Sequence, residues 1–372
     1  MSQEADRGCW IIQDSHDVAI IVGPGARRLI GRLALEYGPY STIVVVADAG
    51  APRAMLGDIL AGIRDAGIPV YFTELPGGEK TKTLDTVVQL WSWMAKENVP
   101  RDALLVAYGG GAVSDTAGFV AATYMRGIDW ATVPTTLLAM ADAAVGGKTA
   151  VNLGAKNIVG VFHHPRIVVA DIDHLGTLPH EEYVSGLAEI VKHAAIHGRD
   201  LLDWLRGNAE GLVKRNPETL TRAVKYSLDV KMSIVSRDYR EKRGDRMILN
   251  LGHTVAHALE KATGYTMRHG YAVAIGLVVE GIAATMKLGA PREDIEEIRS
   301  LLSSIGLPTA PPSGLDPMET LEAIKLDKKR RGNRIVMPML KEIGKPVLVS
   351  MGIEEALDLL AEAWRLAASS GQ

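Results

Sequence analysis

The first half of the chain alternates short runs rich in β-branched residues with amphipathic segments. The runs are TIVVVAD, PVYFTEL and ALLVAYGGG, and the segments between them are RAMLGDILAGIRDAG and TLDTVVQLWSWMAKEN. Strands that alternate with helices in this way form βαβ units and a parallel sheet. Further strands are expected at DWATVP and RIVVADI. The sequence therefore predicts an α/β domain with a parallel sheet over residues 1–178.

A different pattern begins after residue 178. The segments EEYVSGLAEIVKHAAIHG and TLTRAVKYSLDVKMSIVSR carry apolar residues at helical spacing. The stretch GLPTAPPSGLDP is expected to be a loop between helices, and RIVMPMLKEIGKPVLVS to form a late hairpin. A length of 372 residues also favours two domains. We therefore expect a mainly α-helical second domain over residues 179–372.

Charge and composition restrict the class of partner and the compartment. The formal net charge is -3 without a long run of one sign, so no nucleic-acid partner is expected. The single cysteine, Cys9, has no second cysteine for an intramolecular disulfide, and the N-terminus lacks the apolar segment of a signal peptide. No stretch reaches the roughly 20 apolar residues that span a bilayer. These features predict a cytoplasmic protein without a membrane partner.

A glycine-rich turn, Gly109 to Gly111, follows an apolar strand and precedes a helix-like segment. Glycines let the backbone approach a ligand closely, and a helix N-terminus offers N–H groups to an anion such as a pyrophosphate. The turn is not the G-x-G-x-x-G fingerprint, and a plain tight turn is the alternative. Asp48 at the end of VVVAD could accept hydrogen bonds from a ribose, or it could cap a helix.

Polar residues cluster among small ones in MADAAVGGKTAVNLGAKNIVG. The charged and amide residues of this segment are Asp142, Lys148, Asn152, Lys156 and Asn157. Lysines and amides near flexible glycines suit the binding of a phosphate and of hydroxyls, and a solvated loop is the alternative. Further along, Glu189 and Lys192 are three residues apart and so share one face of a helix. A surface ion pair is the ordinary explanation for such a pair.

Three histidines lie next to apolar helical runs. His253 and His257 are four apart in ILNLGHTVAHALEK, and His269 leads the helix-like run RHGYAVAIGLVVEG. Together with Glu189 they favour a divalent metal site with nitrogen and oxygen ligands. The glutamate that follows the first histidine of the zincin motif is absent from HTVAH, so peptide hydrolysis is not expected.

The order of these motifs resembles the 3-dehydroquinate synthase family of sugar phosphate cyclases. The resembling segments run from about residue 77 to 330 and are PGGEKTKT, GGGAVSDTAGFVAATYMRG, VPTTLLAMADAAVGGKTAVN, KNIVG, TLPHEEYVSGLAEIVK, LNLGHTVAHALE and HGYAVAIG. The resemblance implies a Rossmann-like NAD-binding domain followed by an α-helical metal- and substrate-binding domain, and a homodimer. It also implies transient oxidation by NAD, phosphate elimination, re-reduction and aldol closure to a carbocycle.

The resemblance assigns roles to individual residues. Glu189, His253 and His269 match the metal ligands, with zinc expected first and cobalt as an alternative. Asp142 and Lys192 match polar residues around the reacting hydroxyls, and His257 matches the substrate-phosphate contact. The other matches to substrate-binding residues are Arg126, Lys148, Asn157, Lys231, Arg246, Asn250 and one of Lys328 and Lys329. The matches to dinucleotide contacts are Asp48, Glu79, Lys82, Gly110, Gly111, Ala112, Asp115, Thr135, Thr136, Leu138, Asp142, Lys156, Asn157, Thr177, Leu178 and Glu182.

The choice among cyclases depends on whether the substrate carries a carboxylate. Lys231 and Arg246 match the pair that reads it, and a guanidinium fork suits a carboxylate well. This predicts 3-deoxy-D-arabino-heptulosonate 7-phosphate as substrate and 3-dehydroquinate, an intermediate of the shikimate pathway, as product. The alternatives are an aminodehydroquinate, 2-deoxy-scyllo-inosose or 2-epi-5-epi-valiolone synthase, a metal-dependent glycerol or polyol phosphate dehydrogenase, and a silent binding protein. Tyr271 stands where many family members have a glutamate, so the sequence does not identify the residue that orients His269.

Overall fold

A computed structural model describes residues 2–5, 9–13, 18–326 and 330–369. The chain forms two compact units, Met1–Pro179 with Leu220–Met232 and His180–Thr219 with Ser233–Gln372. The sequence assigned every residue after 178 to a second domain, whereas the structure groups Leu220–Met232 with the first unit. Two hydrogen bonds from this segment are among the contacts that hold it to the first unit.

The first unit is built on strands with helices between them. The strands are β1 (Ser2–Ala5), β2 (Cys9–Gln13), β3 (Ala19–Gly23), β4 (Ile43–Asp48), β5 (Val70–Leu75), β6 (Leu104–Gly109), β7 (Asp129–Pro134), β8 (Lys148–Val151), β9 (Val159–Phe162) and β10 (Ile167–Asp171). The helices are α1 (Ile30–Tyr37), α2 (Arg53–Asp65), α3 (Leu84–Lys96) and α4 (Gly111–Thr123). Short 3-10 helices cover Ala26–Leu29, Glu79–Thr81, Tyr124–Arg126 and Ile172–Gly176, and a π-helical turn covers Ala139–Ala143.

Eight strands form the main sheet in the order β1-β2-β3-β10-β7-β6-β4-β5. The six strands from β3 to β5 in this order are parallel, while β1 and β2 pair antiparallel at one edge. Val45 belongs to the apolar core on one face, together with residues of α1 and α2, and Val44 and Val46 belong to the core on the other. Burial on both faces explains the continuous apolar runs of these strands. The predicted α/β fold and the strands at TIVVVAD, DWATVP and RIVVADI are confirmed.

The second unit is mainly helical, as the sequence predicted. Its helices are α5 (His180–His197), α6 (Arg199–Gly207), α7 (Ala209–Val213), α8 (Pro217–Val235), α9 (His253–Ala262), α10 (His269–Leu288), α11 (Arg292–Ser304), α12 (Pro317–Leu321) and α13 (Ile353–Ser369), and the middle of α8 belongs to the first unit. Short 3-10 helices cover Asp245–Asn250 and Glu322–Leu326. The strands β11 (Arg330–Arg331), β12 (Arg334–Leu340) and β13 (Pro346–Gly352) form an antiparallel sheet, and β12 and β13 are the predicted hairpin.

Helix α10 lies at the centre of the second unit. Among the described helices it alone is long and apolar enough to cross a membrane, yet most of it is buried inside the structure. Its glycines and small residues pack against α5 and α9, as the following contacts show. Its apolar composition is therefore that of a core helix.

Candidate active site

Three helices of the second unit bring one predicted metal ligand each to a common point. Glu189 lies in the middle of α5, whereas His253 and His269 are the first residues of α9 and α10. Gly252, which precedes His253, has a left-handed backbone with φ 78°, a conformation that favours glycine. This turn ends the preceding segment and starts α9 with the histidine at its first position.

Glycines let these helices approach each other backbone to backbone. A Cβ atom on Gly270 would lie 1.8 Å from the carbonyl oxygen of Ser185 in α5, and the Gly270 N–H donates to the Ser185 hydroxyl over 3.0 Å. A Cβ atom on Gly276 would lie 2.0 Å from the carbonyl oxygen of Gly252. Helix α10 is therefore held against both of the other ligand-bearing segments.

The ligand atoms of the three residues converge on one carboxylate oxygen. Nε2 of His269 lies 3.2 Å and Nε2 of His253 lies 3.3 Å from Oε1 of Glu189, and all three ligand atoms lie within 4.8 Å of one another. Bonds of about 2.0–2.1 Å at tetrahedral angles would separate two zinc ligands by roughly 3.3 Å. Three protein ligands also match catalytic zinc sites, which keep a position for water or substrate. The residues present therefore fit a divalent ion.

The electrostatics of this cluster favour a cation beside Glu189. Burial alone would raise the pKa of Glu189, but the ammonium group of Lys192, which pairs with its second oxygen, and the two histidines hold this pKa well below its ordinary value. Burial lowers the pKa of His253. At His269 burial acts in the same direction, but the nearby carboxylates of Glu189 and Glu260 outweigh it and raise the pKa to about 10. The carboxylate of Glu189 therefore stays ionised and favours a positive charge at this point.

The second ring nitrogen of His269 faces a carboxylate that the sequence did not identify. Oε1 of Glu260 lies 3.6 Å from Nδ1 of His269, and the Glu260 side chain is buried. A carboxylate at this nitrogen fixes the tautomer and the orientation of a metal-binding histidine. Glu260 therefore supplies the orienting group that the sequence left open when it placed Tyr271 at the usual glutamate position.

The structure separates the two histidines of ILNLGHTVAHALEK. His253 is buried among the ligand atoms, whereas His257 is exposed. The two rings are 5.6 Å apart in an edge-on arrangement, and His257 is not part of the cluster that could hold one ion with Glu189 and His269. The substrate-phosphate role that the resemblance implies for His257 stays a prediction.

Several predicted cofactor residues gather at the carboxyl ends of the parallel strands in the first unit. Asp48 ends β4 next to the turn that follows β6, because a Cβ atom on Gly109 would lie 2.9 Å from its Cβ. On the other side, a Cβ atom on Gly77 would lie 2.0 Å from Oδ1 of Asp48. The N–H of Thr135, after β7, donates to the carbonyl oxygen of Gly109 over 3.0 Å. Open α/β sheets bind ligands at this edge.

A hydrogen-bonded network joins further predicted cofactor residues. Nζ of Lys82 lies 2.6 Å from Oδ2 of Asp115 and also donates to Oδ1 of Asn157. Asn152 donates to Oε1 of Glu79 over 2.7 Å and accepts the backbone N–H of Asn157 over 2.9 Å. Burial raises the pKa of Asp115 to about 6, although Lys82 opposes this shift. The charge of Asp115 therefore changes close to neutral pH.

Asp142 lies in the π-helical turn Ala139–Ala143, a local distortion that is frequent at functional sites. Nζ of Lys231 lies 2.9 Å from Oδ1 of Asp142 and 2.6 Å from its carbonyl oxygen. The hydroxyl of Ser227, four residues earlier on the same face of α8, donates to the carbonyl oxygen of Ala141 over 3.0 Å. These bonds join α8 to the first unit and bring together a predicted substrate-binding lysine and a predicted catalytic carboxylate.

Arg246, the predicted partner of Lys231 in carboxylate recognition, is held by its own loop. Its side chain is buried, Nη1 donates to the carbonyl oxygen of Tyr239 over 2.7 Å, and its backbone N–H lies 3.4 Å from a carboxylate oxygen of Asp238. Asn250 is half-buried at the end of the same short helix. The loop thus fixes the guanidinium group within the second unit.

The remaining predicted residues are placed as follows. In the first unit, Lys148 and Arg126 are exposed and Lys156 is half-buried. Thr136 and Leu138 lie next to the short helix after β7, and Thr177 and Leu178 lie next to the one after β10. Gly110 precedes α4, and Gly111 and Ala112 are its first two residues. Arg126 has a left-handed backbone with φ 68°. In the second unit, Glu182 accepts a hydrogen bond from Nε of Arg268 over 2.9 Å. Lys328 and Lys329 lie outside the described residues.

Sequence reasoning missed three residues that contact the predicted site residues or the segments that carry them. Glu260 is seven positions after His253 and hence on the same helix face, and Glu280 is a lone acid within an apolar run, so both had a detectable signal. Ser227 had none, because its partner lies 86 residues away in the chain.

The chain matches models of one protein family in two adjoining parts. The model of the 3-dehydroquinate synthase N-terminal region matches residues 72–185, and that of the 3-dehydroquinate synthase C-terminal region matches residues 186–330. A curated relative, the 3-dehydroquinate synthase of Xylella fastidiosa (strain 9a5c), is 41% identical over 355 residues, which span 93% of this chain and 89% of the relative.

Solved structures of two sugar cyclases share the fold. The structure of 2-deoxy-scyllo-inosose synthase complexed with carbaglucose-6-phosphate, NAD+ and Co2+ has a TM-score of 0.83 at 28% identity and covers 97% of this chain and 100% of that one. A second structure is that of ValA, the 2-epi-5-epi-valiolone synthase of Streptomyces hygroscopicus subsp. jinggangensis 5008 with NAD+ and Zn2+ bound. It has a TM-score of 0.80 at 26% identity and covers 93% of this chain and 97% of that one. With family models matching from residue 72 to residue 330 and a relative at 41% identity, this chain belongs to the 3-dehydroquinate synthase family.

Proposed function

We propose that this protein is a 3-dehydroquinate synthase, which converts 3-deoxy-D-arabino-heptulosonate 7-phosphate into 3-dehydroquinate and phosphate. The observation that carries the proposal is the convergence of Glu189, His253 and His269 within a region that matches the C-terminal family model. The curated relative of the same name, at 41% identity, supports the same reaction and its place in the shikimate pathway.

NAD+ and a divalent metal ion, zinc first and cobalt second, are the proposed cofactors. The related cyclases are solved with NAD+ and Co2+ or Zn2+, and this chain offers a carboxylate and two imidazoles for the ion. The Lys82 network and the Gly109–Gly111 turn would hold the dinucleotide. When bound, the nicotinamide takes up and returns a hydride, and the ion polarises the substrate oxygens.

The protein's own residues mainly orient the substrate and supply charge. Lys192 keeps Glu189 ionised, and we assign Lys192 and Asp142 to the hydroxyls at the reacting carbons. His257 is assigned to the substrate phosphate, where an imidazolium or a neutral N–H can donate. Lys148, Arg126, Asn157, Asn250 and one of Lys328 and Lys329 are assigned to the phosphate or the sugar. Hydrogen-bond donors around a substrate can lower the barrier by positioning it and by electrostatic stabilisation.

Lys231 and Arg246 are the proposed readers of the substrate carboxylate. Both side chains are buried and hydrogen-bonded, so the positions of their charged groups are already fixed before a substrate binds. An ammonium group and a guanidinium fork are both suited to binding a carboxylate. This favours an acid substrate over glucose 6-phosphate or sedoheptulose 7-phosphate.

Arg246→Met is expected to lower kcat/KM for the heptulosonate phosphate by about 100-fold, because hydrogen bonds to charged groups contribute about 1.5–3 kcal/mol each. The affinities for NAD+ and metal should stay unchanged. Steady-state kinetics and equilibrium binding check both expectations. Arg243→Met, in the same loop but with an exposed side chain, is the control and should keep wild-type kinetics. An Arg246 variant with wild-type kcat/KM would remove this residue from carboxylate recognition.

The pKa of Asp115 predicts a pH dependence of NAD+ binding. This carboxyl group is ionised above its pKa of about 6 and can then accept hydrogen bonds from ribose hydroxyls, whereas below that pH it is neutral and loses its ion pair with Lys82. The Kd for NAD+ is therefore expected to rise about tenfold as the pH falls from about 7.5 to about 5. Calorimetric titration across this range tests it, with Asp115→Asn expected to give a weaker and pH-independent Kd.

The proposed reaction is tested by incubating the full chain with 3-deoxy-D-arabino-heptulosonate 7-phosphate, NAD+ and Zn2+ or Co2+. The expected result is phosphate release, 3-dehydroquinate by mass spectrometry and no net NADH. Parallel incubations with the amino analogue of the acid, glucose 6-phosphate and sedoheptulose 7-phosphate distinguish the other cyclases. Steady accumulation of NADH without phosphate would instead identify a polyol or glycerol phosphate dehydrogenase, and absence of turnover with all substrates a binding protein.

We further propose a homodimer that acts in the cytoplasm. The family resemblance supports the dimer, in which we assign Arg126 of one subunit to the substrate of its neighbour, and the exposure of this arginine supports that assignment. The burial of α10 supports a soluble protein. Analytical ultracentrifugation checks the dimer.

A further inference from the structure

Glu280 is a buried carboxylate in the apolar helix α10. Its side chain is 1% exposed, and its neighbours in the chain are Val279 and Gly281. Burying a carboxylate is costly unless hydrogen bonds compensate for its lost hydration. The partners of Glu280 therefore indicate why an acid occupies this position.

Two backbone N–H groups at the start of α9 donate to Glu280. The N–H of Gly252 lies 2.8 Å from Oε2, and the N–H of Val255 lies 2.9 Å from Oε1. In helices that begin with a capping box, side chains at the cap and at the third position satisfy these two donors. Gly252 occupies the cap position here and has no side chain, so an acid from another helix takes over both bonds.

His253 lies between these two anchored positions, directly after Gly252. One of its ring nitrogens, Nδ1, lies 3.1 Å from the carbonyl oxygen of Leu251, and the other, Nε2, lies 3.3 Å from Glu189. The backbone that carries this ring is fixed by Glu280 and, one helical turn earlier on α10, by the close contact of Gly276 with Gly252. Both of these bonds to Glu280 come from backbone N–H groups of the turn and not from a predicted ligand atom.

We propose that Glu280 is a positioning residue for the metal site, which fixes the first turn of α9 so that Nε2 of His253 meets the ion together with Glu189 and His269. The proposal rests on the proposed function, because it takes these three residues as metal ligands. It adds to the residues of the metal site a carboxylate that lies on α10, the helix that begins at His269. This carboxylate holds the start of α9, the helix that begins at His253.

The test uses Glu280→Gln in the full chain, stripped of metal by a chelator and titrated with Co2+. A glutamine of the same length replaces one acceptor oxygen by an NH2 group, so one of the two backbone donors loses its partner. We expect Co2+ affinity to fall about tenfold, within the range typical of residues that hold a metal ligand in place. The visible absorption of bound Co2+ should also change, because the His253 ligand is displaced.

Asp294→Asn is the matched control for lost stability. Asp294 is also a buried carboxylate of the second unit, where it accepts the backbone N–H of Ile343 over 2.8 Å and pairs with Arg199. This variant should lower the thermal midpoint of the metal-free chain in the same way while leaving Co2+ affinity and absorption at wild-type values. If Glu280→Gln does not fold, Glu280→Asp keeps both acceptor oxygens on a shorter side chain and should show the same changes to a smaller extent.

Wild-type Co2+ affinity and absorption in a destabilised Glu280 variant would overturn the inference, and so would equal losses of Co2+ affinity in the Glu280 and Asp294 variants. Failure of the proposed function has a different signature. A wild-type chain that binds Co2+ but forms no 3-dehydroquinate refutes that function, whereas the Co2+ measurements on the Glu280 variants still decide the role of Glu280.

Discussion

Replacing His269 by alanine is expected to abolish 3-dehydroquinate formation and to weaken metal binding by more than about 100-fold. Loss of a group that merely holds a ligand costs 10- to 100-fold, and loss of one ligand out of three should cost more. In this site the cost is increased by Glu189, because the variant leaves this buried carboxylate with one imidazole and Lys192. Metal content of the purified chain and product formation measure the two effects.

His257→Ala provides the control for this prediction. His257 is a histidine of the same motif with its ring 5.6 Å from that of His253, but it is exposed and outside the ligand cluster. Its alanine variant should keep the metal and lose activity through weaker binding of the substrate phosphate. Full activity with a normal metal content in His269→Ala would refute the assignment of this ligand.

The fold was largely predictable because its signals are local. The apolar runs of β4 and β7 and the hairpin β12–β13 can be recognised from neighbouring residues alone. The place of α8 could not be recognised in this way. Its helical pattern would be the same whichever unit it packed with. The contacts that hold it to the first unit include hydrogen bonds from Ser227 and Lys231 to a turn almost 90 residues away in the chain.

The metal cluster shows the same division between local and distant signals. Spacing alone suggested that His253 and His257 bind one ion together, whereas the family resemblance separated them and the geometry agrees with the resemblance. Neither source identified Glu260 as the partner of His269. That contact depends on how α9 and α10 pack, and the packing in turn depends on glycines whose role appears only in three dimensions.

Gly276→Ala is expected to destabilise the second unit by about 3 kcal/mol, the upper end of the usual cost of overpacking a core. The added Cβ would lie 2.0 Å from the carbonyl oxygen of Gly252 and 2.9 Å from its carbonyl carbon, and backbone atoms cannot rotate away as a side chain can. Relief requires α10 to move from the turn that precedes His253. Metal affinity should therefore fall at least about tenfold, since the histidine moves with that turn.

Gly57→Ala separates this contact from the general effect of alanine in a helix. Gly57 is exposed in the interior of α2, and no atom lies within 4 Å of the position that its Cβ would take. Alanine there should stabilise the chain by about 0.5–1 kcal/mol, because it lowers the entropic cost of forming the helix. Thermal unfolding of the metal-free variants and Zn2+ titration measure both quantities. A Gly276 variant with wild-type stability and Zn2+ affinity would show that α10 can move away without displacing His253. The contact of Gly276 with Gly252 would then not be needed for metal binding.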